Sequence, residues 1–380
     1  MSIVSQATHA ASQRTPATEA GSVDPTPLFT AYAARVRPNL EGALTRYLDA
    51  VGSSVRHLPS DVQATVDTVR DLSLRGGKRL RAVLLAAGYE ACGGEGGADA
   101  VVMGGVSLEL LQAYLLIHDD WMDADDVRRG GPSVPAMLRA HFAPSGAGPR
   151  TADSFTILAG DFASGLALDA LTQVPVSADR VAAACREMGR IQRDVVLGQM
   201  CDLSGEVSRE PPSEAAVELT HSLKTGSYTV RGPLLLGASL AGADPATRSA
   251  LEAFANPLGV AFQLRDDVLG TFGDPRNTGK PATGDLRQGK RTGLIAALAT
   301  DTSATTASLI AKGFGQPDAH AADVEALVDR IVSSGARRRV DERIDALLAE
   351  AMAALAAAPI SHDARQLLRG AAFTLGHREK

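Results

Sequence analysis

One acidic stretch followed by two arginines, Leu115–Gly131 (LLIHDDWMDADDVRRGG), carries the residues most suited to chemistry in this chain. Asp119 and Asp123 are four residues apart, so on a helix they project from one face, with Asp120 beside them. Such a face repels itself unless a cation binds to it. Oxygen ligands without His or Cys among them suit Mg²⁺, which binds through one or two carboxylates and otherwise through water and phosphates. The stretch therefore predicts a magnesium site.

The arginines indicate what the metal would bind. Arg128 and Arg129 are planar donors that match phosphate oxygens, and a metal next to such donors favours a diphosphate ligand. A lone acidic motif could also be a helix cap or a solvated acidic run. A second copy of the pair weakens that alternative, because Asp266 and Asp267 follow another apolar stretch in Phe262–Gly270 (FQLRDDVLG). Two helices could then face each other across one cavity.

Basic residues that could bind anions lie outside these motifs. In Gly76–Arg81 (GGKRLR), two glycines permit a sharp turn, and Lys78 and Arg81 are expected to open the next helix as an anion site. Lys224 lies beside an apolar run, where a buried cation needs an anionic partner. Lys280 and Lys290 lie in a Gly-, Pro- and Asp-rich segment that could close over bound diphosphate. Solvated turn or loop lysines are the alternative.

The elements that must position these residues are predicted to be helices. Aromatic residues make up only 4% of the 380 residues, and alternating β-branched runs are nearly absent. No composition break divides the chain, so we expect a disordered tail over residues 1–27 and one helical domain over 28–380. The apolar residues before Asp119 recur at helical spacing, which places this aspartate at the end of a long, largely buried helix.

Charge and cysteine content exclude several classes of protein. A net charge of −6 argues against a nucleic-acid partner. Three cysteines without CxxC spacing suggest neither a zinc site nor a disulfide framework, which fits the reducing cytoplasm. We expect no transmembrane helix, since the apolar stretch at 234–243 is far shorter than the ~20 residues needed. A secretory signal is not expected either.

These motifs, together with Gly198-Gln199 and Lys224-Thr225, resemble in order and spacing the trans-polyprenyl diphosphate synthase family over roughly residues 28–375. The resemblance implies an all-α, single-domain bundle of long helices around a deep central cavity, and a homodimer. It implies Mg²⁺-dependent, head-to-tail condensation of isopentenyl diphosphate with an allylic diphosphate. The implied product is a short prenyl diphosphate of the farnesyl or geranylgeranyl type, with geranylgeranyl favoured.

The resemblance also implies roles for individual residues. Three Mg²⁺ ions per active site would be held by the aspartates of both motifs: Asp119, Asp120, Asp123, Asp266 and Asp267. The residues with an implied catalytic role are Asp119, Asp123, Arg128, Lys224 and Asp266. The residues implied to bind the substrates are Lys78, Arg81, Gln112, Arg128, Arg129, Lys224, Thr225, Gln263, Lys280 and Lys290.

The chain departs from the family pattern at two positions. Gln112 stands where family members commonly carry a histidine, and a neutral amide is a weaker phosphate donor than a charged group. Gly270 stands where the second motif usually ends in aspartate, so we expect that metal to be bound through Asp266, with Asp267 supporting. Restoring aspartate at position 270 is then expected to tighten Mg²⁺ activation or leave it unchanged.

Residues around the first motif have predicted supporting roles. His118 points about 100° away from Asp119 on the helix and is expected to be structural. Asp161 is expected to begin a further helix, either as its cap or as support for the site. Tyr114 and Leu115, one turn before Asp119, and Leu111, a further turn below, are predicted to form the floor that limits product length. The alternative is that Tyr114 only packs against a neighbouring helix.

Two other functions are compatible with part of the pattern. A non-catalytic subunit that modulates another synthase would keep the fold, but the intact first motif argues against it. A class I terpene cyclase would ionise the same diphosphate with the same metals. It needs no isopentenyl site, so Lys78 and Arg81 argue against it.

Overall fold

The computed structural model describes residues 24–94, 98–208, 211–273 and 283–377. Almost all of this part of the chain is helical, and its only strands pair in one two-residue antiparallel hairpin. The predicted all-α class is confirmed. Of the predicted tail 1–27, residues 1–23 fall outside the described ranges, and the first helix already begins at Thr26.

The elements follow the chain in order. The first group comprises α1 (Thr26–Ser54), α2 (Ser60–Leu74), α3 (Leu80–Ala91), α4 (Ala98–Met122), β1 (Val127–Arg128), β2 (Gly131–Pro132), α5 (Val134–Phe142), a 3₁₀ turn (Ala143–Ser145) and α6 (Pro149–Thr172). The second comprises α7 (Ala178–Val207), α8 (Glu214–His221), a π-helix (Ser222–Arg231), α9 (Gly232–Ala241) and α10 (Pro245–Phe272). The last comprises α11 (Gly284–Arg287), α12 (Gly293–Ala299), α13 (Ala304–Gly313), α14 (Ala321–Ser333), α15 (Ala336–Ala357) and α16 (His362–Gly376).

Helix α4 is the central element that carries the first aspartate motif. Its N-terminal and middle turns are largely apolar, as expected for a helix surrounded by protein. Helices α4 and α6 are long and apolar enough to cross a membrane, although no such segment was expected. They pack against each other along their lengths, and the core helix of a globular bundle passes the same test of length and composition.

One boundary differs from the sequence prediction. Helix α6 begins at Pro149, where proline is preorganised for the first turn, so the expectation that Asp161 begins a helix was wrong. Asp161 lies in the middle of α6 instead, with Oδ1 at 3.8 Å from His118 Nε2.

The π-helix packs between α7 and α10. At Gly198 on α7, an added Cβ would lie 2.3 Å from the backbone nitrogen of Lys224, so only glycine permits this crossing. π-helical turns inside helical proteins occur frequently at functional sites. Here the π-helix contains Lys224 and Thr225, both half-buried.

Candidate active site

The first aspartate motif lies at the C-terminal end of α4. The backbone N–H of Asp123 donates to the carbonyl of Asp119 at 2.8 Å, which continues the helical pattern by one residue. Burial and the neighbouring Asp119 both raise the pKa of Asp123, whereas Lys290 and Lys224 lower it. The predicted pair of mutually repelling carboxylates is therefore present, and two lysines from distant parts of the chain are close enough to act on it.

Asp120 is placed differently from the predicted metal ligand. Its side chain has no exposed surface, and its Oδ1 accepts from Arg128 Nε at 2.6 Å. Burial raises the pKa of Asp120 to about 6, although the Arg128 hydrogen bond and charge lower it. Asp119, in contrast, is 28% exposed. Asp120 therefore orients Arg128, and the outward-facing ligand set of this motif is reduced to Asp119 and Asp123.

A short hairpin positions the two arginines that follow. Arg128 Nη2 lies 3.2 Å from Asp125 Oδ2 and 3.5 Å from Asp119 Oδ2. Arg75, at the end of α2, donates to the carbonyls of Arg128 at 3.0 Å and Pro132 at 2.6 Å. It thereby holds both strands of the hairpin. No pattern in the sequence indicates this role of Arg75, because a charged residue after a helix is usually solvated.

A second, basic site joins three of the predicted residues. The side-chain amide of Gln112 lies between two donors, so its oxygen faces them and accepts from Arg81 Nη1 at 3.0 Å and Arg129 Nη2 at 3.1 Å. Arg81 also donates to Thr229 Oγ1 at 2.8 Å, and its guanidinium lies 4.1 Å from the centroid of the Tyr228 ring. These two bonds do not use the amide N–H group of Gln112, and its binding to a phosphate stays a prediction.

Positive charge accumulates at this basic site. Burial lowers the pKa of Arg129, Glu109 raises it, and Arg79, Arg81 and Arg128 lower it again. Glu109 already forms a buried ion pair with Arg79 at 2.7 Å. In the described part of the chain, no carboxylate lies within ion-pair distance of Arg81 or Arg129, and the buried Arg81 Nε lacks a hydrogen-bond partner. Such a site can accept an anion.

Lys78 differs from the expected arrangement. Helix α3 begins at Leu80, so Lys78 precedes the helix and is exposed. Arg79, the residue between them, has a left-handed backbone (φ 49°) and a buried side chain. This turn directs Arg79 into the core towards Glu109, whereas Lys78 is exposed and Arg81 is half-buried.

Lys224 is distant from the first motif in sequence but lies close to it in the fold. Its Nζ lies 2.5 Å from Asp202 Oδ2 on α7. Burial lowers the pKa of Lys224, but Asp202, Asp119 and Asp123 raise it, and the net shift is upward. The predicted need for an anionic partner is met by Asp202, and the lysine stays charged next to the acidic face.

The second aspartate motif lies near the end of α10, and its two members have different surroundings. Asp267 is buried and accepts from the backbone N–H of Gly293 at 2.9 Å and from Gln263 Nε2 at 3.1 Å, with His221 Nε2 at 3.4 Å. Burial raises its pKa. Asp266 is half-buried. Asp267 and Gln263 thus bind each other in the interior, and the outward-facing carboxylate of this motif is Asp266.

The side chain of Asp285 occupies the space that a carboxylate at position 270 would need. A Cβ added to Gly270 would lie 2.1 Å from Asp285 Oδ2, so this oxygen occupies the space of a side chain. The other oxygen, Asp285 Oδ1, lies 3.7 Å from Lys290 Nζ. The prediction that aspartate at position 270 tightens Mg²⁺ activation or leaves it unchanged was made without this carboxylate, which a side chain at 270 would have to displace. The structure does not test it. Lys280 lies outside the described residues.

The predicted floor of the cavity has mixed surroundings. Tyr114 and Leu115 are half-buried, and the Tyr114 ring meets the His118 ring edge-on at 5.0 Å. Leu111 has no exposed surface and lies in the hydrophobic core. His118 Nε2 contacts the carbonyl of Ile157 at 3.2 Å, in keeping with its predicted structural role.

The donor chemistry fits Mg²⁺ bound together with a phosphate ligand. Across the ranges that the structure describes, no three acidic, histidine or cysteine side chains are grouped to hold an ion by themselves. The outward-facing donors are carboxylates, Asp119 with Asp123 and, separately, Asp266. Mg²⁺ commonly binds through one or two carboxylates and takes its other ligands from water and substrate phosphates.

An all-helical bundle with two aspartate motifs and a separate arginine site has the layout of the isoprenoid synthase class. Residues 63–331 match the polyprenyl synthetase family. Over 284 residues the chain is 36% identical to a geranylgeranyl diphosphate synthase of Mycobacterium tuberculosis, which covers 72% of this chain and 74% of that protein. The chain belongs to the polyprenyl synthetase family, a family of prenyltransferases, and the resemblance drawn from the motifs is confirmed.

Two further comparisons concern neighbours of known product or structure. A (2E,6E)-farnesyl diphosphate synthase of Mycobacterium tuberculosis is 34% identical over 216 residues, which is 57% of this chain and about half (55%) of that protein's length. The crystal structure of geranylgeranyl pyrophosphate synthase from Corynebacterium glutamicum, complexed with isoprenyl diphosphate and magnesium, matches with a TM-score of 0.82. It is 34% identical and covers 94% of this chain and 100% of that chain. Both neighbours are named as short-chain prenyl diphosphate synthases.

Proposed function

We propose that this protein condenses isopentenyl diphosphate with an allylic diphosphate, head to tail, to give a short prenyl diphosphate. The observation that carries the proposal is the presence of two anion sites of different chemistry. One is the carboxylate and lysine site of Asp119, Asp123 and Lys224. The other is the carboxylate-free site of Arg81, Gln112 and Arg129. A prenyl transfer needs two diphosphates in one active site, and only the one that ionises needs metal.

The acidic site would hold the allylic diphosphate. Asp119, Asp123 and Asp266 would hold about three Mg²⁺ ions, as suits carboxylate ligands and bound phosphate. Bound Mg²⁺ neutralises the diphosphate oxygens and stabilises the negative charge that grows on the leaving group. Arg128, held by the buried Asp120, and the lysines add positive charge around the same oxygens. The lysines in this set are Lys224, Lys290 and Lys280, with Thr225 and Gln263 alongside.

The basic site would hold isopentenyl diphosphate. Arg81 and Arg129 would bind its oxygens, Gln112 would donate its amide N–H group, and Lys78 would close the outer side. Bound in this way, the double bond of isopentenyl diphosphate lies against C1 of the allylic partner. The C1–O bond of the allylic diphosphate breaks, and the double bond of isopentenyl diphosphate attacks that C1. The released diphosphate then takes a proton from C2 of the former isopentenyl unit. No side-chain base is required.

Product length would be set below the first motif. The half-buried Tyr114 and Leu115 lie one turn before Asp119, where a ring limits a growing apolar tail after a few isoprene units. The farnesyl and geranylgeranyl diphosphate synthases among the relatives agree with a short product. We favour geranylgeranyl diphosphate.

We also propose a cytoplasmic homodimer. Helices α6 and α7 expose several large apolar side chains, which a second copy would cover: Ile157, Leu158, Leu168, Leu197 and Met200. Light scattering coupled to size-exclusion chromatography measures the mass directly. A chain that stays monomeric at micromolar concentration would contradict the dimer.

The activity is tested by supplying isopentenyl diphosphate, Mg²⁺ and, in turn, each allylic diphosphate of increasing length, and by sizing the products. We expect a prenyl diphosphate that requires both substrates. A cyclic hydrocarbon formed from the allylic substrate alone would indicate a terpene cyclase. Complete inactivity of the well-folded protein by itself would favour the non-catalytic subunit.

A further inference from the structure

Gly270 and Asp285 form an arrangement that the aspartate motifs alone do not explain. Position 270 is four residues after Asp266 on α10, so it shares the face of the outward-facing carboxylate. The Cβ that an aspartate would have there falls 2.1 Å from Asp285 Oδ2, well inside contact distance. A carboxylate oxygen from another helix therefore stands one turn along from Asp266.

We propose that Asp285, on α11, supplies the carboxylate that the second aspartate motif lacks, and that Gly270 provides the space for it. The two aspartates, Asp266 and Asp285, would then hold the Mg²⁺ ion of this side of the site. This inference rests on the proposed function, because it assigns a ligand to the metal that the allylic diphosphate brings with it.

The surroundings of Asp285 suit such a role. Its Oδ1 is 3.7 Å from Lys290 Nζ, too far for a tight hydrogen bond, and Oδ2 points at the bare backbone of Gly270. Its backbone carbonyl accepts from the Lys290 N–H at 2.9 Å, which fixes α11 and the lysine relative to each other. Lys290 also acts on Asp123. The same short segment thus carries a carboxylate towards the second motif and a cation towards the first.

A purely structural explanation is the main alternative. In that case the Asp285 carboxylate would only bind Lys290 and keep α11 in place. The two explanations differ in what happens when the carboxylate is moved from position 285 to position 270. If Asp285 is a metal ligand, an aspartate at position 270 can replace it, because both carboxylates reach the same space. If Asp285 only binds Lys290, an aspartate on α10 cannot replace it.

The test compares four proteins: the wild type, Asp285→Ala, Gly270→Asp, and the double variant Gly270→Asp/Asp285→Ala. Binding of Mn²⁺ in the presence of inorganic pyrophosphate is followed by electron paramagnetic resonance, which counts bound ions without catalysis. Asp285→Ala is expected to weaken one Mn²⁺ about tenfold or more, as loss of a supporting ligand commonly does. Gly270→Asp is expected to weaken it too, because two carboxylates then compete for one space. The double variant is expected to recover most of the binding.

The controls separate this inference from the proposed activity. Asp329→Asn, an exposed aspartate on α14, should leave Mn²⁺ binding unchanged, and Asp285→Asn replaces the alanine variant if that one fails to fold. Additive losses in the double variant, or an unchanged Mn²⁺ count in Asp285→Ala, would overturn the role of Asp285. If the Mn²⁺ pattern holds but the wild type makes no prenyl product, the proposed function fails and the ligand assignment stands.

Discussion

The three aspartates of the first motif have different roles because their side chains differ in exposure to water. Asp119 is 28% exposed and Asp120 has no exposed surface, although they are adjacent in sequence. A carboxylate that ligates a hydrated cation must reach the solvent side, whereas a buried one needs a partner such as Arg128. The sequence predicts the shared face of Asp119 and Asp123 from their spacing. It cannot show that the next residue turns inward, because that depends on the hairpin after α4.

Removing either outward-facing carboxylate should abolish turnover without unfolding the protein. For Asp119→Ala and Asp123→Ala we expect a fall in kcat of at least ~10²-fold, the scale seen when a preorganised electrostatic group is lost. The melting temperature should not fall, because each change relieves carboxylate repulsion. Product assays and thermal unfolding measure the two effects. Asp126→Ala, which changes an exposed aspartate of the following turn, is the control; equal losses in all three variants would contradict the assignment.

Cys92, at the end of α3, provides a pH-dependent prediction away from the site. Burial and the nearby Asp244 raise the pKa of its thiol, Arg248 lowers it, and the net result is a pKa of about 11. Because the thiolate is the reactive form, alkylation by iodoacetamide at pH 8 should be about a hundredfold slower in the folded protein than in urea. The rate should rise about tenfold per pH unit up to pH 10. Peptide mass spectrometry follows it, and equal folded and unfolded rates would contradict the prediction.

At the scale of elements, helix existence was predictable and helix crossings were not. The apolar periodicity before Asp119 predicted α4. The π-helix and the approach of α7 to it were not predicted, since neither leaves a periodic signal. A glycine in a helix has several possible causes, and only the partner backbone identifies the one that applies.

Substitution of Gly198 by alanine is expected to have the opposite effect on stability to the same substitution elsewhere on α7. Replacing a helical glycine with alanine normally favours the helix by about 1 kcal/mol. For Gly198→Ala we expect lower stability and lower kcat, because the new methyl group would push α7 away from the backbone of Lys224. Gly189→Ala is the matched control on the same helix, where nothing lies within 4 Å of an added Cβ. Denaturant unfolding and steady-state kinetics compare them; stabilisation by both substitutions would contradict the close crossing.

At the scale of the molecule, the sequence predicted the fold class and the family but not how distant segments meet. Lys290 is 167 residues from Asp123, yet it lowers the pKa of that carboxyl group. The spacing of the two motifs indicated only that they could face one cavity. The role that we propose for Asp285 was not predicted, because this residue lies in a Gly-, Pro- and Asp-rich segment without helical periodicity, and only its contact with the space at Gly270 points to it.

Product length depends on the space that the helices leave below Asp119. On our interpretation Tyr114→Ala opens the space below Asp119, and the products should shift to longer prenyl chains while both diphosphate sites are unaffected. Chromatography of the dephosphorylated products measures the distribution, with KM for isopentenyl diphosphate as the control. Leu111→Ala should lower stability by roughly 2–5 kcal/mol, because Leu111 is fully buried, and should change chain length less. An unchanged product from Tyr114→Ala would mean that the floor lies elsewhere.

The wide winding of Ser222–Arg231 has a consequence for how the two diphosphates are spaced. In a π-helix the repeating hydrogen bond joins residues five apart, which places them near each other on successive turns. Lys224, next to Asp119 and Asp123, and Thr229, which accepts from Arg81, are such a pair. In an α-helix, with about 100° per residue, the same two side chains would diverge by about 140°. If this segment were an α-helix, Lys224 and Thr229 would therefore point in different directions. The acidic and basic sites would then no longer face each other, although every residue in both sites would be unchanged.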